Sequence, residues 1–297
     1  MFILPFNQRI VAGTASQVVW QQIGGDGEPV DPGAITVTIT RSDGTAVVTA
    51  QPASGTGAAA RTYPLTAAQT ATIDRLTILW QSTGVTIATT EADVVAAPSF
   101  SNAELRAAEP SVKDETKYPA PVIAIARLQV EAFFERVTHR RFVPGFTMEM
   151  LPGARGRDLV VSHPDVRRVR SAALYWDPSV GPTETLGALE LGAIPPSPTG
   201  IVTRYQLPWS AMWVRIGYEH GLLTSPPDVK RQQMRLCREL LVNESKGQVP
   251  DNATSWQSTD TGWSAILVTP GVRGAHTKLP TVNECLDAWT FDQVGMA

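Results

Sequence analysis

The chain has 297 residues, 43% of them hydrophobic and 18% charged, with a formal net charge of −3. That is enough apolar sequence for one large domain or two of ordinary size, and the charge balance excludes a protein held on nucleic acid by a global basic field. The two cysteines, Cys237 and Cys285, sit in no CxxC or other metal spacing, which excludes a disulfide framework and fits a reducing site of synthesis. The opening MFILPFNQRIV lacks a basic n-region and a small-residue cleavage site, and no run approaches about 18 apolar residues. The expectation is a soluble, unsecreted protein.

From about residue 7 to 97 the sequence alternates with period two, as in ITVTITRSDGTAVVTAQ and LTILWQSTGVTIATT, the pattern of half-buried strands. Val37 and Ile39 share one pleat face and Thr36, Thr38 and Thr40 the other. Turn signals at Gly24-Gly25-Asp26-Gly27, Asp43-Gly44, the Gly/Ala/Ser stretch 53–60 and Ser82-Thr83-Gly84 divide this region into some seven short strands. An immunoglobulin-like β-sandwich is expected over 1–97, with the family open because there is no Cys-Trp-Cys signature.

The composition shifts at AAPSFSN, and a domain boundary is placed near Pro98. Ser101 and Glu104 have capping-box spacing ahead of a short helix, NAELRAAE. YPAPVIAIARLQVEAFFERVTHR, 118–140, predicts a long helix with prolines in its first turn. Its first half is apolar almost all round, which argues for burial between neighbours or subunits. FTMEML, RDLVVS and VRRVRSAALYW read as strands, with PGARGR as a hairpin turn, and 178–208 as Pro/Gly-rich loops around short strands before AMWVRIGY. Ser225 with Asp228 repeats the capping pattern and opens a second long helix ending near Gly247. A polar tail follows, with one strand-like run from Trp263 to Val268. Thr281 and Glu284 have capping spacing before a last helix, TVNECLDAW. The fold class read from this order is α+β: a β-sandwich at 1–97, a mixed helix and sheet core at 98–246 and an extended tail with a short helix at 247–297.

Chemistry is sparse. Four histidines, His139, His163, His220 and His276, lie on different elements, and there is no HExxH, GxSxG or paired His at helical spacing. Glu219-His220 reads as a solvated pair at a turn rather than an acid/base dyad, and Cys237 as a packed thiol rather than a nucleophile. No cofactor or metal site is expected, and an enzyme, such as a hydrolase using Glu219 and His220, is the least favoured class. On VRRVR, Arg168 and Arg170 are expected on one strand face and Arg167 on the other, forming a solvated surface or one for a charged partner. Arg231, Arg235 and Arg238 line one helix face, which is either solvated or turned to another subunit or a DNA channel. Glu104, Glu109, Asp114 and Glu115 offer an acidic counterpart for head-to-tail contacts between copies. Trp256 and Trp263 stand in a tail without a core of its own. The run WSAILV, with Ile266, Leu267 and Val268, either folds back or adds as a strand to a partner.

Four pieces in order over about 190 residues carry a resemblance. They are the long helix ending in RRFVP, the set MEMLPGARGRDLVVSHPDVRRVRSAALYW, the step VRIGYEHGLLTSPPDVKRQQMRLCRELLV, and TGWSAILVTPG followed by LPTVNECLDAW. Together these resemble the head-to-tail connector (adaptor) proteins of long-tailed bacteriophages, with an immunoglobulin-like module added at the N-terminus. The resemblance implies a non-enzymatic ring, a dodecamer, beneath the portal protein and above head-closure or tail-terminator proteins, at the head-tail junction of a virion made in host cytoplasm. Genomic double-stranded DNA would pass through the bore with loose contact, the two long helices would pack in the ring, and the tail would reach the portal. No membrane is implied. The alternative is a tail or baseplate protein whose β-sandwich binds a host surface glycan.

Overall fold

A computed structural model describes residues 8–154, 156–205, 208–243, 253–259, 262–267, 277 and 279–291; for 243, 253–259 and 262–267 it describes the backbone alone. In chain order the strands β1 (Gln8–Val11), β2 (Ser16–Trp20), β3 (Thr36–Thr40), β4 (Ala46–Pro52), β5 (Arg61–Leu65), β6 (Asp74–Ser82) and β7 (Val85–Val95) come first. Helix α1 (Asn102–Ala108), a 3₁₀ turn at Pro110–Val112 and helix α2 (Ala120–Thr138) follow. Next are β8 (Gly145–Pro152), β9 (Asp158–Val160), β10 (Val166–Tyr175), β11 (Glu184–Thr185), α3 (Ala188–Gly192), β12 (Ile201–Thr203) and β13 (Trp213–His220). Helix α4 (Pro227–Asn243), strands β14 (Ala253–Thr259) and β15 (Gly262–Leu267) and helix α5 (Pro280–Trp289) close the chain. The architecture is α+β, and it divides into two compact units: residues 1–98 with 143–223, and residues 99–142 with 224–297.

The first unit opens with a two-layer β-sandwich. One sheet has the order β1-β7-β6-β3-β4, with β1 parallel to β7 and the other pairs antiparallel, and β2 pairs β5 in the second. The period-two pattern does what pleating requires: Val37 and Ile39 are fully buried while Thr36, Thr38 and Thr40 are half-buried on the other face. Trp20 and Trp80 stack at 5.7 Å between ring centroids inside this sandwich, and the Trp80 indole N–H donates to Thr90 Oγ1 at 2.9 Å. Arg61 is buried too, which its donations to the carbonyls of Gly33, Gly57 and Ala59 and to Asp31 make tolerable. It thereby ties together the Gly-rich loops that flank β3 and β5.

The same unit holds a further, four-stranded sheet, β11-β10-β13-β8, and a two-stranded ladder, β12-β9. Val169, Leu174, Trp209, Val214 and Ile216 share a core with Leu159 and Val202 of the ladder. PGARGR is no hairpin turn. It leaves β8, which pairs with β13, and enters β9, which pairs with β12. Gly153 is needed there: a Cβ would lie 1.9 Å from the carbonyl oxygen of Ala211, which passes directly alongside. The expected loops between 178 and 208 also contain α3, a single turn of helix.

The second unit packs α2, α4 and α5 together. Ile123, Val130 and Phe134 of α2 are buried, as are Val229, Cys237 and Leu241 of α4 and Val282 and Leu286 of α5. Edge-to-face rings run from Phe134 to Phe142 and from Phe142 to Trp289, so the RRFVP step after α2 anchors the last helix. Buried Glu131 of α2 accepts hydrogen bonds from the Ser99 N–H (2.9 Å) and Oγ (2.7 Å), fixing the chain where it enters the unit. The Ser101/Glu104 capping box forms as its spacing predicts, with the Glu104 N–H donating to Ser101 Oγ and the Ser101 N–H to Glu104 Oε2. The other two expected boxes do not. The Ser225 hydroxyl has no hydrogen-bond partner among the described residues, Asp228 accepts the Trp289 indole N–H at 2.8 Å instead, and Thr281 bonds Gln232 and Arg235 of α4.

Candidate assembly surfaces

Arg170 lies on β10 where two register shifts interrupt the ladder with β13, between Val166 and Arg168 and between Val169 and Ser171. A β-bulge inserts an unpaired residue and re-aims its side chain, so strict alternation does not hold along VRRVR. The expected split, Arg168 and Arg170 on one face and Arg167 on the other, is therefore corrected, since all three line one concavity. Arg168 stands opposite Glu219 in the ladder and is exposed, whereas Arg170 turns along the bulge and is spent within the unit. Its Nε donates to Glu219 Oε1 at 2.7 Å, its Nη1 to the Ile73 carbonyl at 2.6 Å, and its guanidinium lies 5.0 Å from the Phe146 ring centroid. One side chain thus ties the four-stranded sheet to the loop entering β6 of the sandwich.

Glu219 and His220 are not a solvated turn. β13 runs through both, Glu219 is held by Arg170, and His220 is 2% exposed. The His220 Nε2 lies 2.9 Å from Thr147 Oγ1, and its ring stacks on His163 at 4.2 Å between centroids. Beside it the Tyr218 hydroxyl donates to Glu149 Oε1 at 2.8 Å, and Glu149 also accepts from the Ser162 N–H and hydroxyl. Burial first, and then the negative charge of Glu149, push the Tyr218 phenol above its usual range. This polar cluster stitches β8, β13 and the segment after β9. Its members are distant in sequence, and no spacing signal marks it.

On α4, Arg231 and Arg235 are exposed, and Arg235 donates to Thr281 Oγ1 at 3.0 Å. Arg238 pairs with Glu109 at 3.7 Å and with Glu239 at 2.9 Å. The acidic residues expected to serve contacts between copies are engaged at home. Glu104 meets Lys230 at 2.5 Å and Glu115 meets Arg106 at 2.8 Å, while Asp114 accepts the N–H groups of Thr116 and Lys117. Lys230 and the Ser101 N–H hold the Glu104 carboxyl down at about 2. The thiol of Cys237 is pushed up to about 12 by burial and that of Cys285 up to about 11, so both stay protonated and unreactive near neutral pH.

The tail run from Trp263 pairs with Ala253–Thr259 in an antiparallel hairpin, where Trp256 stands opposite Ala265, Trp263 opposite Ser258 and Ile266 opposite Ser255. Leu267 ends β15 opposite Ala253; Val268 lies outside the described residues. A surface missing from the sequence-derived residues is on α2. Val122 is 41% and Ile125 52% exposed, and the outward stripe continues through Gln129 and Ala132 to Arg136. The signal was the apolar composition around the first half of this helix, which one packed face does not exhaust.

No family model and no curated protein matches the chain. Among solved structures, a chain from the neck of an empty GTA particle, computed with C6 symmetry, aligns with a TM-score of 0.45 and 14% identity, over 68% of this chain and 93% of that one. A chain from the neck of a native GTA particle, computed with C12 symmetry, aligns with a TM-score of 0.39 and 12% identity, over 64% of this chain and 94% of that one.

Proposed function

We propose that this protein is a structural connector of a phage-like particle: a ring, dodecameric by the family resemblance, that joins the capsid portal to the tail and extends the DNA channel. The observation that carries the reading is the outward stripe of α2. Val122 and Ile125 stand exposed on a helix whose opposite face is already buried by its own unit, and such surplus apolar surface is what a neighbouring copy in a ring covers. The four ordered sequence pieces of the connector resemblance span both units.

In this reading residues 98–246 form the connector core and 247–297 the docking tail. Trp256, Trp263, Ile266, Leu267 and Val268 then reach the portal, and Arg231 and Arg235 face a neighbouring subunit or the bore. The N-terminal strands form a module whose order, β1-β7-β6-β3-β4 against β2-β5, supports an immunoglobulin-like assignment. Trp80 is buried with Trp20 half-buried against it, and threonines line the outer face of β3, which favours a structural appendage over the glycan-binding alternative. Negative-stain imaging of the purified protein, alone and mixed with the portal of the same particle, tests the proposal. Closed rings with an axial hole are expected, and a protein that stays monomeric in both samples would overturn it.

A further inference from the structure

Opposite charges left without partners mark a second contact. Arg167 and Arg168 sit side by side on the first bulge of β10 and, with the already paired Arg170, line an open concavity of about 400 Å³, whose other wall is built by Val169, Ala188, Leu191, Ile194 and Pro196. Neither arginine has an acidic or hydrogen-bonding partner among the described residues, in contrast to Arg170, Arg204 and Arg238 nearby in sequence or type. On α5, Glu284 and Asp287 are both exposed, again without a partner among the described residues. Their spacing of three sets them on one helix face with Cβ atoms roughly 5–6 Å apart. Each like-charged pair repels itself in the isolated subunit, so each gains from meeting the other.

We infer that the Arg167–Arg168 concavity of one copy receives the Glu284–Asp287 face of α5 from a neighbouring copy. Two different patches of opposite sign on one chain are what a heterologous, head-to-tail contact requires, and repetition of that contact closes a ring. The aliphatic wall argues for a protein occupant over a DNA phosphate: exposed Ala288 beside Asp287 meets it, whereas a phosphate has no use for apolar surface. The inference rests on the ring reading above and names the charges that set its register. It also differs from the expected acidic counterpart at 104–115, whose carboxylates are engaged within their own unit.

A charge swap tests it. The variants Arg167→Glu/Arg168→Glu and Glu284→Lys/Asp287→Lys alter exposed or half-exposed side chains outside both cores and should retain the far-UV spectrum of the wild type. Each variant alone then presents like charges to itself and should fail to form rings, by light scattering and negative stain on the portal. An equimolar mixture should recover rings, because the acidic concavity of one variant matches the lysine face of the other. If either variant alone assembles as the wild type does, or if the mixture does not recover, this contact is wrong while the ring reading stands. If Arg167→Glu/Arg168→Glu forms normal rings that lose retention of a short DNA duplex, the concavity faces DNA and the inference is overturned. If the wild type forms no ring alone or with portal, the ring reading itself has failed, and this contact with it.

Discussion

In the N-terminal sandwich Trp20 stacks on Trp80 inside, and the outer face of β3 is a row of threonines; in the helical unit Phe134, Phe142 and Trp289 pack inside while Val122 and Ile125 stay in solvent. Both regions pack aromatic rings against one another, with Trp80, Phe134 and Phe142 buried and Trp20 and Trp289 half-buried against them. They differ in where apolar surface remains outside: beside turns in the sandwich, and along one stripe of α2 in the helical unit. The sandwich also leaves apolar side chains outside, but Ile23, Val85 and Ile87 stand at or near turns, while the outer face of β3 is polar. A helix whose outward stripe opens with Val122 and Ile125 has apolar surface left to bury, and in a single chain nothing described covers it.

That contrast can be broken at its strongest point first. Trp80→Ala removes a ring that is 0% exposed at the centre of the sandwich, and a loss of about 3–5 kcal/mol in unfolding free energy is expected from urea denaturation. A loss under about 1 kcal/mol would mean that the sandwich core is not packed as described, since truncating large buried side chains costs far more. A smaller effect is expected where β10 is tied to the loop entering β6. Arg170→Met leaves Glu219, whose side chain is 14% exposed, without its ion pair and frees the Ile73 carbonyl. The expected cost is about 2–3 kcal/mol, read as a fall in melting temperature. Arg170→Lys should recover only part of it, because one ammonium group cannot reproduce the guanidinium fork that serves both acceptors.

Much of the fold was legible in the sequence because its determinants are local. Alternation along Val37 to Thr40 gave the strands and their buried face, and the Ser101/Glu104 box formed because both partners lie within one turn. The same spacing misled at Ser225 and Thr281, where partners distant in sequence compete: Asp228 is taken by Trp289, and Thr281 by Gln232 and Arg235. The bulges of β10 and the polar cluster of Glu149, Ser162, His163, Tyr218 and His220 were invisible for the same reason. Gly217 shows how such information hides. A Cβ there would come within 2.6 Å of Ser171 Oγ and 2.9 Å of the Phe146 ring, a constraint set by strands 46 and 71 residues away. The arginine runs were legible as charge but not as role, because whether a guanidinium is spent at home or left free depends on which carboxylates the fold delivers to it.

The central claim is that the outward face of α2 is completed by another copy of the chain. The double variant Val122→Asp/Ile125→Asp tests it most directly, with unfolding free energy and ring assembly measured on the same preparation. The account predicts a subunit whose stability stays within about 0.5 kcal/mol of wild type, as for substitutions at exposed positions, but which no longer forms rings on the portal. Normal rings from this variant would contradict it.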